Sequence, residues 1–153
     1  MSHWQAGEPY YTPITQTMEL LGELKEKGKS RAIGAANVTA AQVEEYIKYG
    51  SLDIVQAKYS VLDRAVEEEL LPLCRENGIV LQAYSPLEMG LLSGALPRDY
   101  KPVGAQCNKK WFQPDNMPRV MDFLDRLEPK CRKYDCPGAD LAMAWVMAQG
   151  HKV

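Results

Sequence analysis

The sequence predicts an α/β fold built from the strand and helix alternation of β/α barrels, and three observations carry that reading. Short apolar runs alternate with stretches of helical periodicity. The helical stretches close on Gly28, Gly50 and Gly78, each just ahead of the next apolar run. Polar side chains recur where the apolar runs stop. Three alternations of this kind imply a parallel sheet with right-handed crossovers. The 153 residues suffice for one domain with a sizeable core. They are too few for a whole barrel, which takes about 250.

Taken in order, Thr12-Pro13 opens the first helix, with Thr as N-cap and Pro at the first helical position. Ile14, Met18, Leu21 and Leu24 follow at helical spacing, and Gly28 ends the helix. The run from Arg31 to Ala36 is short, small and apolar, which suits a strand packed on both faces. Thr39-Ala-Ala-Gln42 is a capping box, and Val43 with Ile47 marks the buried face of a helix that stops at Gly50. Leu52 to Ala57 reads as a buried strand. Val66 to Glu76 reads as a helix with Leu70, Leu73 and Cys74 inward, and Ile79 to Tyr84 as the next strand. From Ser85 to Asp115 periodicity gives way to Gly90, Gly94, Pro97, Pro102, Gly104 and Pro114, an excursion of a length that functional loops adopt. A helix from about Met117 to Tyr134, a break at Pro137-Gly138 and a helix from Asp140 to Gln149 complete the chain.

Composition narrows the function. With 46% apolar and 25% charged residues the chain is an ordinary globular protein. Its net charge is −2, with basic and acidic residues interspersed, so no basic stripe awaits nucleic acid or anionic lipid. No apolar run approaches the roughly 20 residues of a membrane span. Met1 to Pro9 lack the features of a signal peptide, so a cytoplasmic location is expected. Cys74, Cys107, Cys131 and Cys136 make neither a CxxC redox pair nor a zinc knuckle, and are expected to be buried reduced thiols. His3 and His151 stand outside any metal-binding pattern, so no metal is expected.

Three polar signals fall at strand ends: Asn37 after the first full strand, Gln56 within the second, and Tyr84-Ser85-Pro86-Leu87 closing the third. In a β/α barrel the C-terminal strand ends form the active face, so their shared register points to a site. Taken singly, Asn37 reads as a turn former, Gln56 as a satisfied amide and Tyr84 as a core aromatic.

These same residues carry a family resemblance. Met1-Ser-His3-Trp4, Ile33-Gly-Ala-Ala-Asn37, Val55-Gln56 and above all Tyr84-Ser85-Pro86-Leu87-x-x-Gly90-Leu91-Leu92-x-Gly94 resemble the second half of the aldo-keto reductases. The resemblance covers nearly the whole chain, and its last motif is the most specific. It implies a partial (β/α)8, or TIM, barrel running from the end of strand four through the helices before strand eight, with residues 1–153 the C-terminal part of one barrel domain. It implies NADPH-dependent reduction of small aldehydes or ketones. By resemblance, His3 is the histidine near the carbonyl. Asn37 and Gln56 hold the nicotinamide carboxamide, and Tyr84 stacks on the ring. Ser85, Pro86, Leu87 and the loop through Gly90, Leu92 and Gly94 bind the pyrophosphate. The catalytic Tyr, with its Lys and Asp, belongs to earlier strands.

The physics suits that division. Hydride delivery leaves an alkoxide to be protonated, and a Tyr of pKa about 10 needs a nearby cation to act at neutral pH. A histidine alone orients the carbonyl and donates to the developing oxyanion. Relatives often carry Lys after the last glycine of the motif, where this chain has Ala95, so a basic contact to the cofactor is either missing or supplied by Arg98 or Lys101. The isolated fragment is therefore expected to be inactive, and its open sheet edges to favour self-association. The rival reading is a non-catalytic half-barrel serving as a nucleotide-sensing or regulatory module. A flavodoxin-like fold would need a phosphate loop after the first strand, which this sequence lacks.

Overall fold

The computed structural model describes residues 1–5 and 9–150, so His151 lies outside the described residues. The chain divides into two compact units: Met1–Tyr59 with Asp63–Tyr84 and Gly150, and Ser60–Leu62 with Ser85–Gln149.

In the first unit α1 (Ile14–Glu26), β1 (Gly34–Ala36), α2 (Ala40–Tyr49), β2 (Ile54–Lys58), α3 (Leu70–Glu76) and β3 (Val80–Tyr84) alternate as the periodicity predicts. Among the described residues the sheet is parallel with strand order β1-β2-β3. Register pairs Ala36 with Gln56, Gln56 with Gln82 and Lys58 with Tyr84. Strand side chains alternate between faces, so Ala35, Val55 and Leu81 share one face, each 0% exposed. Gln56, Lys58, Gln82 and Tyr84 share the other, more open face. Ser2 lies beside β1 in a parallel bridge to Ala35: its N–H donates to the Gly34 carbonyl and its carbonyl accepts from Ala36 N–H, both at 2.8 Å.

Several boundaries move for local reasons. Helix α1 starts one residue later than predicted, because Pro13, not Thr12, is the N-cap, held extended at φ −57°, ψ 143°. The first strand shrinks to three residues. The N–H of Ile33 is taken by the Asp53 carboxylate at 2.7 Å and so does not extend the strand ladder. Helix α2 opens on the expected capping box of Thr39 and Gln42, but buries Val43 and Tyr46, with Ile47 half-buried. The helix expected from Val66 is a 3-10 turn over Ala65–Glu67 followed by α3. The reason is Pro72, whose ring would collide with the Glu68 carbonyl in a continuous helix but is tolerated in the first turn of α3.

In the second unit the chain passes through 3-10 turns at Leu91–Ser93, Gly104–Asn108 and Lys110–Phe112 before α4 (Met117–Tyr134) and α5 (Gly138–Met147). Leu91, Leu92, Phe112, Met117, Val120, Met121 and Ala142 form its core. The loop between Ser85 and Asp115 is thus pinned at both ends by apolar side chains. Of the cysteines only Cys74 is buried; Cys107 is exposed, and Cys131 and Cys136 are partly exposed. The expectation of buried thiols is corrected at those three positions. Among the described residues no helix is long and apolar enough to cross a membrane.

Candidate functional site

The strand-end residues of the first unit meet at Asn37. It leaves β1 in the left-handed conformation, φ 57°, which asparagine tolerates better than most side chains. Its N–H donates to the Gln56 carbonyl at 3.1 Å. Its side-chain oxygen accepts from the Tyr84 hydroxyl at 2.9 Å, and its amide nitrogen donates to the His3 carbonyl at 3.1 Å. His3, Asn37, Gln56 and Tyr84 therefore belong to one hydrogen-bonded cluster at the C-terminal edge of the sheet. His3 enters it through its backbone, while its exposed imidazole stands edge-on to Trp4 at 5.9 Å.

Two neighbours on this face escaped the sequence reading. Gln56 donates through its amide to Gln82 at 3.3 Å. Lys58, level with Tyr84 across the sheet, is paired with Asp63 at 2.9 Å. The period of two that places Gln56 and Tyr84 on this face places Lys58 and Gln82 there too. On the buried side, the Tyr59 hydroxyl donates to Glu67 at 2.7 Å, and Arg64 clasps the same carboxylate with two bonds. Burial, and then Glu67, push the Tyr59 hydroxyl well above the ordinary tyrosine range, so it remains protonated. At the opposite end of the strands, the Asp53 carboxylate accepts from Lys25 at 2.8 Å and from the Ile33 N–H. The Lys25 bond first, and the amide second, hold it below the usual carboxylate range against partial burial.

In the second unit, Ser85 to Gly94 is a loop of unusual backbone. Ser85, Glu88 and Met89 have φ of 53°, 47° and 54°, and Gly90 and Gly94 have 91° and 75°. Such conformations cost a non-glycine residue on the order of 1 kcal/mol or more, so the surroundings must hold them. The holding contacts are specific. Glu88 is 4% exposed and accepts from the Ser60 hydroxyl at 2.6 Å. Ser93 donates to the Gly90 carbonyl at 2.6 Å and accepts from the Ala95 N–H at 3.1 Å. Leu91 and Leu92 drop into the core. Leu92 thus contributes its side chain to packing and its N–H to the Leu87 carbonyl at 3.1 Å. Pro86 and Leu87 are half-buried at the start of the loop. A Cβ at Gly90 or Gly94 would meet nothing within 4 Å, so glycine serves the backbone angle, not space. Ser60 and Glu88 were not singled out by the sequence. Arg98, the suggested substitute for a lysine after Gly94, is engaged by Asp122 and Asp125.

The chemistry available at the strand ends is hydrogen bonding to a planar amide-bearing ring. Two carboxamide side chains beside a tyrosine offer both donor and acceptor to a carboxamide, with an aromatic face alongside. The backbone N–H groups of Glu88, Gly90, Leu91, Leu92 and Ser93 are bonded to carbonyls within the loop and that of Ala95 to the Ser93 hydroxyl, so these groups hold the turn and do not face an anion. Among the described residues no group of three His, Cys, Asp or Glu is placed to hold a metal ion.

Comparison with known proteins identifies the family and its fold. The model of the Aldo/keto reductase family matches residues 2–153. The NADH-specific methylglyoxal reductase of Escherichia coli (strain K12) is 58% identical over 149 residues, covering 97% of this chain and 46% of that protein. Probable aldo-keto reductase 1 of Glycine max is 32% identical, over 92% of this chain and 41% of that protein. Among solved structures, the glycerol dehydrogenase of Gluconobacter oxydans superposes with a TM-score of 0.89 at 28% identity, over 97% of this chain and 45% of that one. The chain spans about half the length of the relatives it matches. The family match spans residues 2–153 and takes in the motifs and the parallel sheet: the chain belongs to the aldo/keto reductase family, and its fold is part of that family's β/α barrel.

Proposed function

We propose that this chain supplies the nicotinamide-facing half of a carbonyl reductase site, acting on small aldehydes or ketones within a complete barrel and not turning over alone. The observation that carries the proposal is the Tyr84–Asn37–His3 hydrogen-bond chain at the C-terminal edge of the strands. When bound, a nicotinamide dinucleotide supplies the hydride. Asn37 and Gln56 hold its carboxamide and Tyr84 stacks on its ring. Its pyrophosphate lies against Ser85, Pro86 and Leu87, on a turn that Gly90, Leu92 and Gly94 shape: Leu92 from the core and the glycines by their backbone angles. His3 orients the carbonyl and donates to the oxyanion. The proton donor is a Tyr with Lys and Asp partners outside these residues, whose loss removes about 10² to 10⁴ in rate.

The motif resemblance favours NADPH, whereas the Escherichia coli relative is named for NADH, so both cofactors are tested, with methylglyoxal as the carbonyl probe. Saturation-transfer NMR on the chain is expected to show weak contact with the nicotinamide ring protons, with Kd on the order of a millimolar. That contact is lost in Tyr84→Ala. Unchanged transfer in the variant refutes the site. Steady oxidation of either cofactor by methylglyoxal refutes the placement of the proton donor elsewhere. Micromolar binding without turnover favours the alternative of a nucleotide-sensing module.

A further inference from the structure

We infer that Cys131 and Cys136 are a redox-active dithiol that closes to an intramolecular disulfide across the end of α4. Their spacing of five fits no familiar redox motif, and the turn brings them together. Asp135 sits in the left-handed conformation at φ 49°, ψ 50°. The Cys136 N–H donates to the Cys131 carbonyl at 3.0 Å, and the Asp135 N–H to the Arg132 carbonyl at 3.3 Å. These are the two bonds of a Schellman motif, in which the residues joined by the outer bond commonly make a hydrophobic side-chain contact. Here both of those residues are cysteines.

Standard backbone dimensions then hold their Cα atoms within about 7 Å, the outer limit for a disulfide. The two line one surface hollow of about 320 Å³ with Arg132, Asp135 and Pro137, which admits a small oxidant. Cys131 is close enough to act on the Cys136 thiol, which desolvation first, then Cys131, then Asp140 and Asp135 hold above its ordinary value, so the geometry and not an activated thiolate favours closure. The other thiols lack this arrangement. Cys74 is 1% exposed, and burial pushes its thiol up to about 11. Cys107 is exposed and donates to the Pro102 carbonyl at 3.3 Å.

With a low-molecular-weight disulfide such as oxidised glutathione, one protein thiolate attacks the reagent's S–S bond and releases one glutathione thiolate. The second protein thiolate then displaces the glutathione held in the mixed disulfide. The two protein thiols lose two protons and two electrons and form one S–S bond. The oxidant gains them and leaves as two glutathione thiols.

The test is equilibration of the dilute folded chain in glutathione redox buffers, followed by alkylation, trypsin digestion and mass spectrometry. Arg132 and Lys133 lie between the cysteines, so trypsin separates them and closure is read as Cys131-Arg132 joined to the peptide that starts at Tyr134. The equilibrium constant for closure is expected to be at least about tenfold larger in the folded chain than in urea. The Asp135→Gly variant, which keeps the left-handed turn, is expected to retain the linkage. Glutathione adducts at both positions without a linked peptide, or closure no easier folded than unfolded, would overturn the assignment. Loss of the linkage in Asp135→Gly would overturn it as well.

Discussion

Asn37 is the residue on which the strand ends converge, and replacing it measures how much the cluster contributes. Asn37→Ala removes the part-buried bond from Tyr84, worth about 1 kcal/mol, and the exposed bond to the His3 carbonyl, worth about 0.5 kcal/mol. It also leaves a Cβ residue without local hydrogen bonds at φ 57°, which costs about 1 kcal/mol more. The expected loss is therefore about 2–3 kcal/mol. Asn37→Gly loses the same side-chain bonds without the steric penalty, so it is expected to cost about 1 kcal/mol less than the alanine variant, even with the added freedom of its unfolded chain. Urea unfolding of the chain, compared at constant m-value, reads both numbers. A Tyr84→Phe partner completes a double-mutant cycle, with coupling to Asn37→Ala expected at about 1 kcal/mol. If glycine proves as destabilising as alanine, or the coupling is absent, the left-handed hub is not what holds these strand ends together.

Asp53→Asn is expected to cost about 1 kcal/mol at neutral pH, a figure already reduced for the one-third exposure of the Lys25–Asp53 pair. Because folding lowers the Asp53 pKa, its contribution is present above the unfolded carboxylate value of about 4 and fades as pH falls through the folded value. The wild-type and variant urea midpoints should therefore converge on acidification. Gly94→Ala, at φ 75° with open space around it, should cost about 1 kcal/mol and Gly94→Asn less, since only the backbone angle resists them. Glu88→Ala should cost about 2 kcal/mol by removing the carboxylate that accepts from the buried Ser60 hydroxyl. Glu88→Gln, which keeps an acceptor, should cost less. Faster amide exchange at Leu91 and Leu92 in the alanine variant would confirm that this contact holds the loop.

The legible parts of the fold were those whose causes are local. The capping box at Thr39 and both ends of α4 follow from residues within one turn. Pro72 was equally local, and α3 could have been shortened from the sequence by the collision its ring imposes. The short first strand was not legible, because the Ile33 N–H goes to Asp53, twenty residues away. The site divides in the same way. Asn37, Gln56 and Tyr84 stand out because polar residues interrupt apolar runs, and Gln82 and Lys58 follow by counting in twos. The Ser60–Glu88 contact spans twenty-eight residues and leaves no periodic trace.

Cysteine spacing shows where such counting fails. Neighbours on a helix are three or four residues apart, so a separation of five sets Cys131 and Cys136 on different faces of a continuous helix. The helix is not continuous there. One left-handed residue, Asp135, reverses the chain and returns Cys136 to the Cys131 carbonyl. Aspartate is a weaker predictor of that conformation than glycine, and the Pro137 that follows the turn marks an end without saying how the chain leaves it. Spacing rules apply within an element, and the pairs they hide are those joined by the residue that ends it.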